Sequence, residues 1–311
     1  MIGAGPVATA LAGALRLAGV PVLGLWSRRP GAARAAASVA GVAAFSTPPD
    51  LLLEADVVLV AVRDAALGEV ATTLVGTGLV TVRHTLLHCS GAFGAAEAFG
   101  PAAAKVGGIG TIHPLRAIAD AKVAMRSLRG TIFGVEGDER GKARAQALVA
   151  ALGGTALELD GRHMASYHAA AAIASNYAVA LLDIAASVLA EAGVPAAQAL
   201  SALVPLAQGA LANVVGADGA AVGTAAALTG PIRRGDDVTV ARHLQALAGD
   251  PELAEVYRVL GRRTAAIAAR IAADAGGPSA DGLARIRALL AEPAPVAAAV
   301  APSATDRTAR T

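Results

Sequence analysis

Aromatic residues are scarce in this chain. Phe, Trp and Tyr make up 3% of its 311 residues. Single-strand nucleic-acid binders set aromatic rings along a basic groove. Here the charges are scattered singly and the formal net charge is only +2, so nucleic acid is not an expected partner. Hydrophobic residues still reach 55%, so the core must be built from Ala, Val and Leu. Cysteine is nearly absent. Cys89 stands alone, which excludes an intrachain disulfide and fits a reducing cytoplasm. Neither Cys-x-x-Cys nor His-Glu-x-x-His occurs, and His84, His88 and Cys89 cannot all share one strand face, so no metal is expected. No Gly-x-Ser-x-Gly elbow supports a hydrolase.

Two apolar stretches raise targeting questions. The first 20 residues lack a basic start, and Arg16 interrupts them, so they do not read as a signal peptide. Residues 165–189 approach the length of a membrane span. They carry His168, Asn176 and Asp183, and their bulk is Ala, which predicts the buried helix of a soluble, cytoplasmic protein with no membrane partner.

Short β-like runs alternate with helical stretches through the first half. Runs at 22–26, 56–62, 80–88, 106–112, 131–135 and 155–159 read as strands, and 139–152 as a helix. Residues 56–62 (DVVLVAV) have the unbroken apolarity of a strand buried on both faces. This pattern predicts an α/β fold, a Rossmann-type parallel sheet over residues 1–160. Beyond Gly161 only helical patterns remain, at about 162–192, 196–215, 236–248, 251–275 and 279–291, so 161–291 is expected to be an all-α domain. The tail 292–311 is rich in Pro and Ala and then polar, and is expected to be disordered.

Gly3-Ala4-Gly5-Pro6-Val7-Ala8 reads G-x-G-x-x-A and leads into a helical run closed by Gly19, then a strand. In such a β-α-β unit Gly3 makes the tight turn and Gly5 lets the backbone approach a pyrophosphate. Ala8 allows close packing, and Pro6 and Val7 open the helix whose N-terminus faces the phosphates. A first strand needs about five residues. Only Met1 and Ile2 precede Gly3, so that strand is expected to be clipped, the natural start to lie upstream, and stability to suffer. An NAD enzyme places a carboxylate at the end of the second strand; Trp26-Ser27-Arg28-Arg29 supplies none. Ser27, Arg28 and Arg29 suit a 2′-phosphate, so NADP(H) is the expected cofactor. Val62 and Arg63 follow the 56–62 strand and should line the same cleft.

Further motifs carry a family resemblance. They are Ala61-Val62-Arg63-Asp64, His88-Cys89-Ser90-Gly91, Ile112-His113-Pro114-Leu115, Tyr167-His168-Ala169-Ala170-Ala171 with Ser175-Asn176-Tyr177, and the run from Leu228 to Asp236 (LTGPIRRGD). With the glycine loop and the W-S-R-R turn, they resemble the Rossmann-like proteins with a domain-of-unknown-function 2520 C-terminal half, over about residues 1–290. That family is similar to the wider 6-phosphogluconate-dehydrogenase-like group, which includes ketopantoate reductases, pyrroline-5-carboxylate reductases and coenzyme-F420-dependent NADP reductases. The chain departs from the pattern in its clipped first strand and in Arg63, where proline is common.

Reduction of a ketone or imine needs a proton donor, and an anionic substrate needs a cation. His168, Ala172 and Asn176 stand four residues apart on one helix face. The resemblance to ketopantoate reductases, which carry a lysine and asparagines at this spacing, implies His168 as the acid and Asn176 as the orienting group. The alternative for His168 is a packed core histidine. Arg233 could bind a carboxylate and Thr229 the reacting oxygen, or their loop could be an exposed turn before a helix capped by Asp236. Ser90 and Gly91 should reach the nicotinamide end, and His88 or His113 could replace His168 as the acid. The expected function is NADPH-dependent reduction of a small 2-oxo acid, ketopantoate first, by a homodimer. Imine reduction and a non-catalytic dinucleotide sensor are the alternatives.

Overall fold

The computed structural model describes residues 1–291 apart from 77, 79, 217, 218, 273 and 274; the tail 292–311, expected to be disordered, lies outside the described residues. The chain divides into two compact units, Met1–Ala178 and Val179–Thr311.

The first unit holds strands β1 (Gly24–Leu25), β2 (Ala43–Ala44), β3 (Val57–Val60), β4 (Thr85–His88), β5 (Gly108–Pro114), β6 (Ile132–Gly137) and β7 (Thr155–Glu158). Its helices are α1 (Pro6–Leu17), α2 (Pro30–Ala40), α3 (Pro48–Leu52), α4 (Leu67–Gly76), α5 (Ala95–Phe99), α6 (Ala121–Ser127) and α7 (Glu139–Ala151). Helix α8 (Met164–Glu191) follows. Five strands pair in the order β3-β4-β5-β6-β7, and β1 pairs with β2. Ile2 joins the two sheets. Its amide donates to Leu59 O at 2.7 Å, and its carbonyl accepts from the Ala61 amide at 2.8 Å. On the other side Gly3 N–H donates to Trp26 O at 2.8 Å. The short opening segment thus lies between β1 and β3, where the first strand of a Rossmann sheet belongs.

The side-chain alternation of a strand splits the core between the two sheet faces. Leu59 and Leu87 pack with α1, α2 and α7. Val58, Val60 and Leu86 pack with α3, α4 and α5. Both faces being covered explains why 56–62 is an unbroken apolar run.

Three features differ from the sequence reading. Strand β4 begins only at Thr85, because residues 81–84 form a turn in which His84 Nδ1 accepts the Thr81 amide at 3.0 Å. Strands β5 and β6 pair antiparallel, with Thr111 opposite Glu136. The compact division falls after Ala178 rather than near residue 160. Met164 is fully buried and Tyr167 bonds to His113, which tie the start of α8 to the first unit.

The second unit contains α9 (Ala196–Ala212), α10 (Thr224–Ala227), α11 (Pro231–Arg234), α12 (Asp237–Ala246), α13 (Pro251–Ala268) and α14 (Ala280–Ala291). Its core gathers Ile232, Val240, Leu244, Ala265, Leu283 and Ile286. Helix α8 corrects the expectation of a buried helix. It is long and apolar enough to cross a membrane by length and composition, yet 6% of its most apolar window is buried. Alanine leaves too little side chain to cover its own helix, and Ile173, Tyr177 and Val179 on it are exposed.

Candidate active site

The first unit carries a cleft of about 760 Å³ at the carboxyl ends of its strands. Gly3, Gly5, Pro6, Val7, Ser27, Arg28, Arg29, Val62 and Arg63 all line it, as does Cys89. The glycines have different jobs. Gly3 adopts a φ of +122°, and a Cβ there would meet Ala61 O at 2.1 Å. Only glycine fits that turn. A Cβ on Gly5 would meet nothing within 4 Å, so this backbone opens onto free space. Gly5 also caps α1, which has no side-chain cap and no acidic residue in its first turn. The free amides and the positive helix end suit a phosphate. Helix α2 begins the same way, with Arg29 at its cap. Ser27 Oγ accepts the Arg29 amide at 3.1 Å. These features fit a dinucleotide with a 2′-phosphate.

Arg28 is not free. Its Nη1 donates to both carboxylate oxygens of Glu69, at 2.9 and 3.0 Å. Sequence reading passed over Glu69, which lies 41 residues away on α4. The Cys89 thiol is pushed up to about 12 by burial, so it stays protonated at neutral pH.

Ser90 and Gly91 do not line the cleft; they continue from Cys89 into a cluster of histidines. His88, on β4, is fully buried. Its Nδ1 accepts the Ser90 amide at 3.2 Å, which leaves the proton on Nε2. Nε2 lies 2.9 Å from Thr111 Oγ1, and Thr111 donates to Glu136 at 3.2 Å. Glu136 also accepts the Ala95 amide at 2.8 Å. This directed chain pins both ends of the loop 90–95. Burial lowers the pKa of His88 to about 4, with proximity to His113 adding to it. The antiparallel β5–β6 register creates the chain, and no local motif announces Thr111 or Glu136.

His113, on β5, has its pKa lowered to about 4, by burial first and by His168 second, while Asp64 opposes the shift. Its Nδ1 lies 2.9 Å from Tyr167 Oη. Burial raises the Tyr167 pKa, so the phenol keeps its proton beside His113. The His113 and His168 rings meet edge-on, with centroids 5.7 Å apart. His168 Nδ1 is buried and without a hydrogen-bond partner. Gly91 lies against it: a Cβ there would sit 2.7 Å from His168 Nδ1 and 3.0 Å from His113 Nε2. The expected backbone bond of a core histidine is therefore missing at this nitrogen.

Asn176 is exposed and accepts a hydrogen bond from Ser175 Oγ at 3.0 Å. In the second unit, the segment read as a loop contains the helical turn α11, set between Gly230 and Gly235, both of positive φ. Asp236 caps α12 by accepting the Thr239 amide. Thr229 is exposed. Arg233 donates to Leu228 O at 2.9 Å and to Ala275 O at 3.5 Å, so part of its guanidinium is used within its own unit.

Residues 1–82 match the family described as NADP oxidoreductase, coenzyme F420-dependent. The N-terminal domain is an NADP-oxidoreductase domain. Residues 131–264 match the domain of unknown function 2520. The two family likenesses read from the motifs are thus both present, and the chain is an NADP-dependent oxidoreductase of the Rossmann type. His88 and His113 fall between the two matched segments. A Bacteroides fragilis protein named as an NADP oxidoreductase shares the fold at 24% identity and a TM-score of 0.66, over 85% of this chain and 95% of that one. A Thermotoga maritima protein gives 24% and 0.66, over 86% and 97%. The pyrroline carboxylate reductase of Plasmodium falciparum, solved with NADP bound, gives 13% and 0.54, over 86% and 96%. At these identities the likeness is one of fold. No curated protein matches the sequence.

Proposed function

We propose that this cytoplasmic oxidoreductase reduces the carbonyl of a small 2-oxo acid with NADPH, with ketopantoate the first substrate to test. The observation that carries this reading is the buried, unpartnered Nδ1 of His168, two residues of loop away from the cofactor cleft. A buried polar atom without a partner costs free energy, which makes this nitrogen a candidate contact for a bound group.

Gly5 and Val7 would present the pyrophosphate with backbone amides at the start of α1, with Gly3 making the turn and Pro6 opening the helix. Ser27, Arg28 and Arg29 hold the 2′-phosphate, Val62 and Arg63 flank it, and Ser90 and Gly91 border the nicotinamide. When bound, NADPH supplies the hydride. His168 holds a proton at Nδ1 for the substrate oxygen. His113 stays neutral at pH 7 and stands beside it, oriented by the contact of its Nδ1 with Tyr167. His88 has both ring nitrogens engaged, so it positions the loop and is not the acid. Asn176 orients the substrate. Thr229 and Arg233 are carried as substrate-binding candidates of the second unit. A cyclic imine is the second reading, supported by the fold shared with a pyrroline carboxylate reductase.

The test is His168→Ala. General acid catalysis is worth about 10²- to 10⁴-fold. The variant should lose that factor in kcat with ketopantoate while binding NADPH as before. Unchanged turnover would remove His168 from the mechanism. NADPH binding without turnover of any oxo acid or imine by the wild type would favour a sensor.

A further inference from the structure

We propose that Glu69 is a specificity-determining residue that competes with the cofactor's 2′-phosphate for Arg28 and so sets the preference of the cleft between NADPH and NADH. The inference rests on the reading of Arg28 as a phosphate ligand.

Three observations carry it. Glu69 rises from the first turn of α4, flanked by Ala66 and Val70, which both line the cleft. Its two oxygens converge on a single nitrogen, Arg28 Nη1, and share an N–H of that nitrogen between them. The pair is exposed, with 56% and 63% of the two side chains accessible. An exposed ion pair is weak and exchangeable. A phosphate monoester carries nearly two negative charges at neutral pH. It is a stronger partner for the guanidinium than one carboxylate, and it must either displace Glu69 or bind beside a like charge. NADH has only a hydroxyl there and meets no such conflict. Glu69 therefore handicaps NADPH alone. Breaking the exposed ion pair to release the guanidinium corresponds to roughly two- to fivefold in affinity, shrinking as salt rises.

The experiment is fluorescence titration of NADPH and NADH with wild type, Glu69→Gln, Arg28→Ala and the double variant, at low and high salt. Glu69→Gln should bind NADPH about two- to fivefold more tightly at low salt, with NADH no tighter. The gain should vanish in the Arg28→Ala background, because the competition is for that guanidinium. Unchanged or weaker NADPH binding in Glu69→Gln overturns the proposal, as does equal tightening of both cofactors. A gain that persists without Arg28 shows direct repulsion and also overturns it. The underlying reading fails separately, if Arg28→Ala alone leaves NADPH affinity unaltered.

Discussion

Replacing Gly91 by alanine tests the histidine cluster without touching a polar group. The added Cβ would sit 2.7 Å from His168 Nδ1 and 3.0 Å from His113 Nε2. Ordinary contacts begin near 3.4 Å, so His168 must retreat by about 0.7 Å. A misplacement of about 1 Å at a reacting group can cost on the order of 10²-fold. The expected loss in kcat is therefore roughly 30- to 100-fold. Overpacking of this kind costs about 1–3 kcal/mol of stability, so the variant should still fold. NADPH affinity should change less than kcat, because Gly91 borders only the nicotinamide end and the phosphate-binding lining of the cleft is untouched. Gly68→Ala, where a Cβ meets nothing within 4 Å, is the matched control. The assay is NADPH oxidation with ketopantoate, with NADPH binding and thermal unfolding alongside. If the added methyl acts through His168, combining Gly91→Ala with His168→Ala should be no slower than His168→Ala alone. A folded Gly91→Ala enzyme within twofold of wild-type kcat would falsify the placement of the reaction at His168.

Further expectations concern stability, the second unit and assembly. His88 and His113 titrate near 4 in the folded chain, against an ordinary 6.5. The unfolded chain binds more protons between these values, so stability is full above about pH 6.5 and falls toward pH 4, by roughly 3 kcal/mol per histidine; a urea midpoint that is flat across this range refutes it. Arg233→Ala orphans two carbonyls and should lower the thermal midpoint. A raised KM for the oxo acid with no loss of stability would instead mark Arg233 as the carboxylate ligand. In the second unit, exposed Val179, Leu206 and Leu211 are the kind of apolar residues that a second copy covers. Light scattering should give a dimer, and Leu206→Glu a monomer; a monomeric wild type refutes the assembly.

The dinucleotide half was legible in local sequence because its demands are local. Gly3 needs a positive φ, Gly5 needs open space, and Ser27-Arg28-Arg29 follows its strand directly. The two-sided burial of β3 followed from pattern as well. What escaped reading depends on register and on distant pairing. Glu136 meets Thr111 only because β5 and β6 run antiparallel. Glu69 meets Arg28 only because α4 rises beside the cleft. Tyr167 stood next to His168 in a recognised motif, but its role depends on where β5 places His113. The exposure of α8 was misjudged for another reason: apolar composition shows that a surface needs cover, not what covers it.

The seam at Ile2 makes the cofactor a splint. Backbone hydrogen bonds from a few residues hold β1 and β2 to the rest of the sheet. The lining of the cleft straddles that seam, with Trp26 to Arg29 on one side and Ala61 to Arg63 on the other. A bound dinucleotide therefore spans both sides of that seam. Amide exchange at Ala61, which donates to Ile2, should slow more on NADPH binding than exchange at Leu86 in the middle of the sheet. Occupancy of the cleft then adds cofactor contacts across a seam already held by Ile2 and by the packing of α1 and α2.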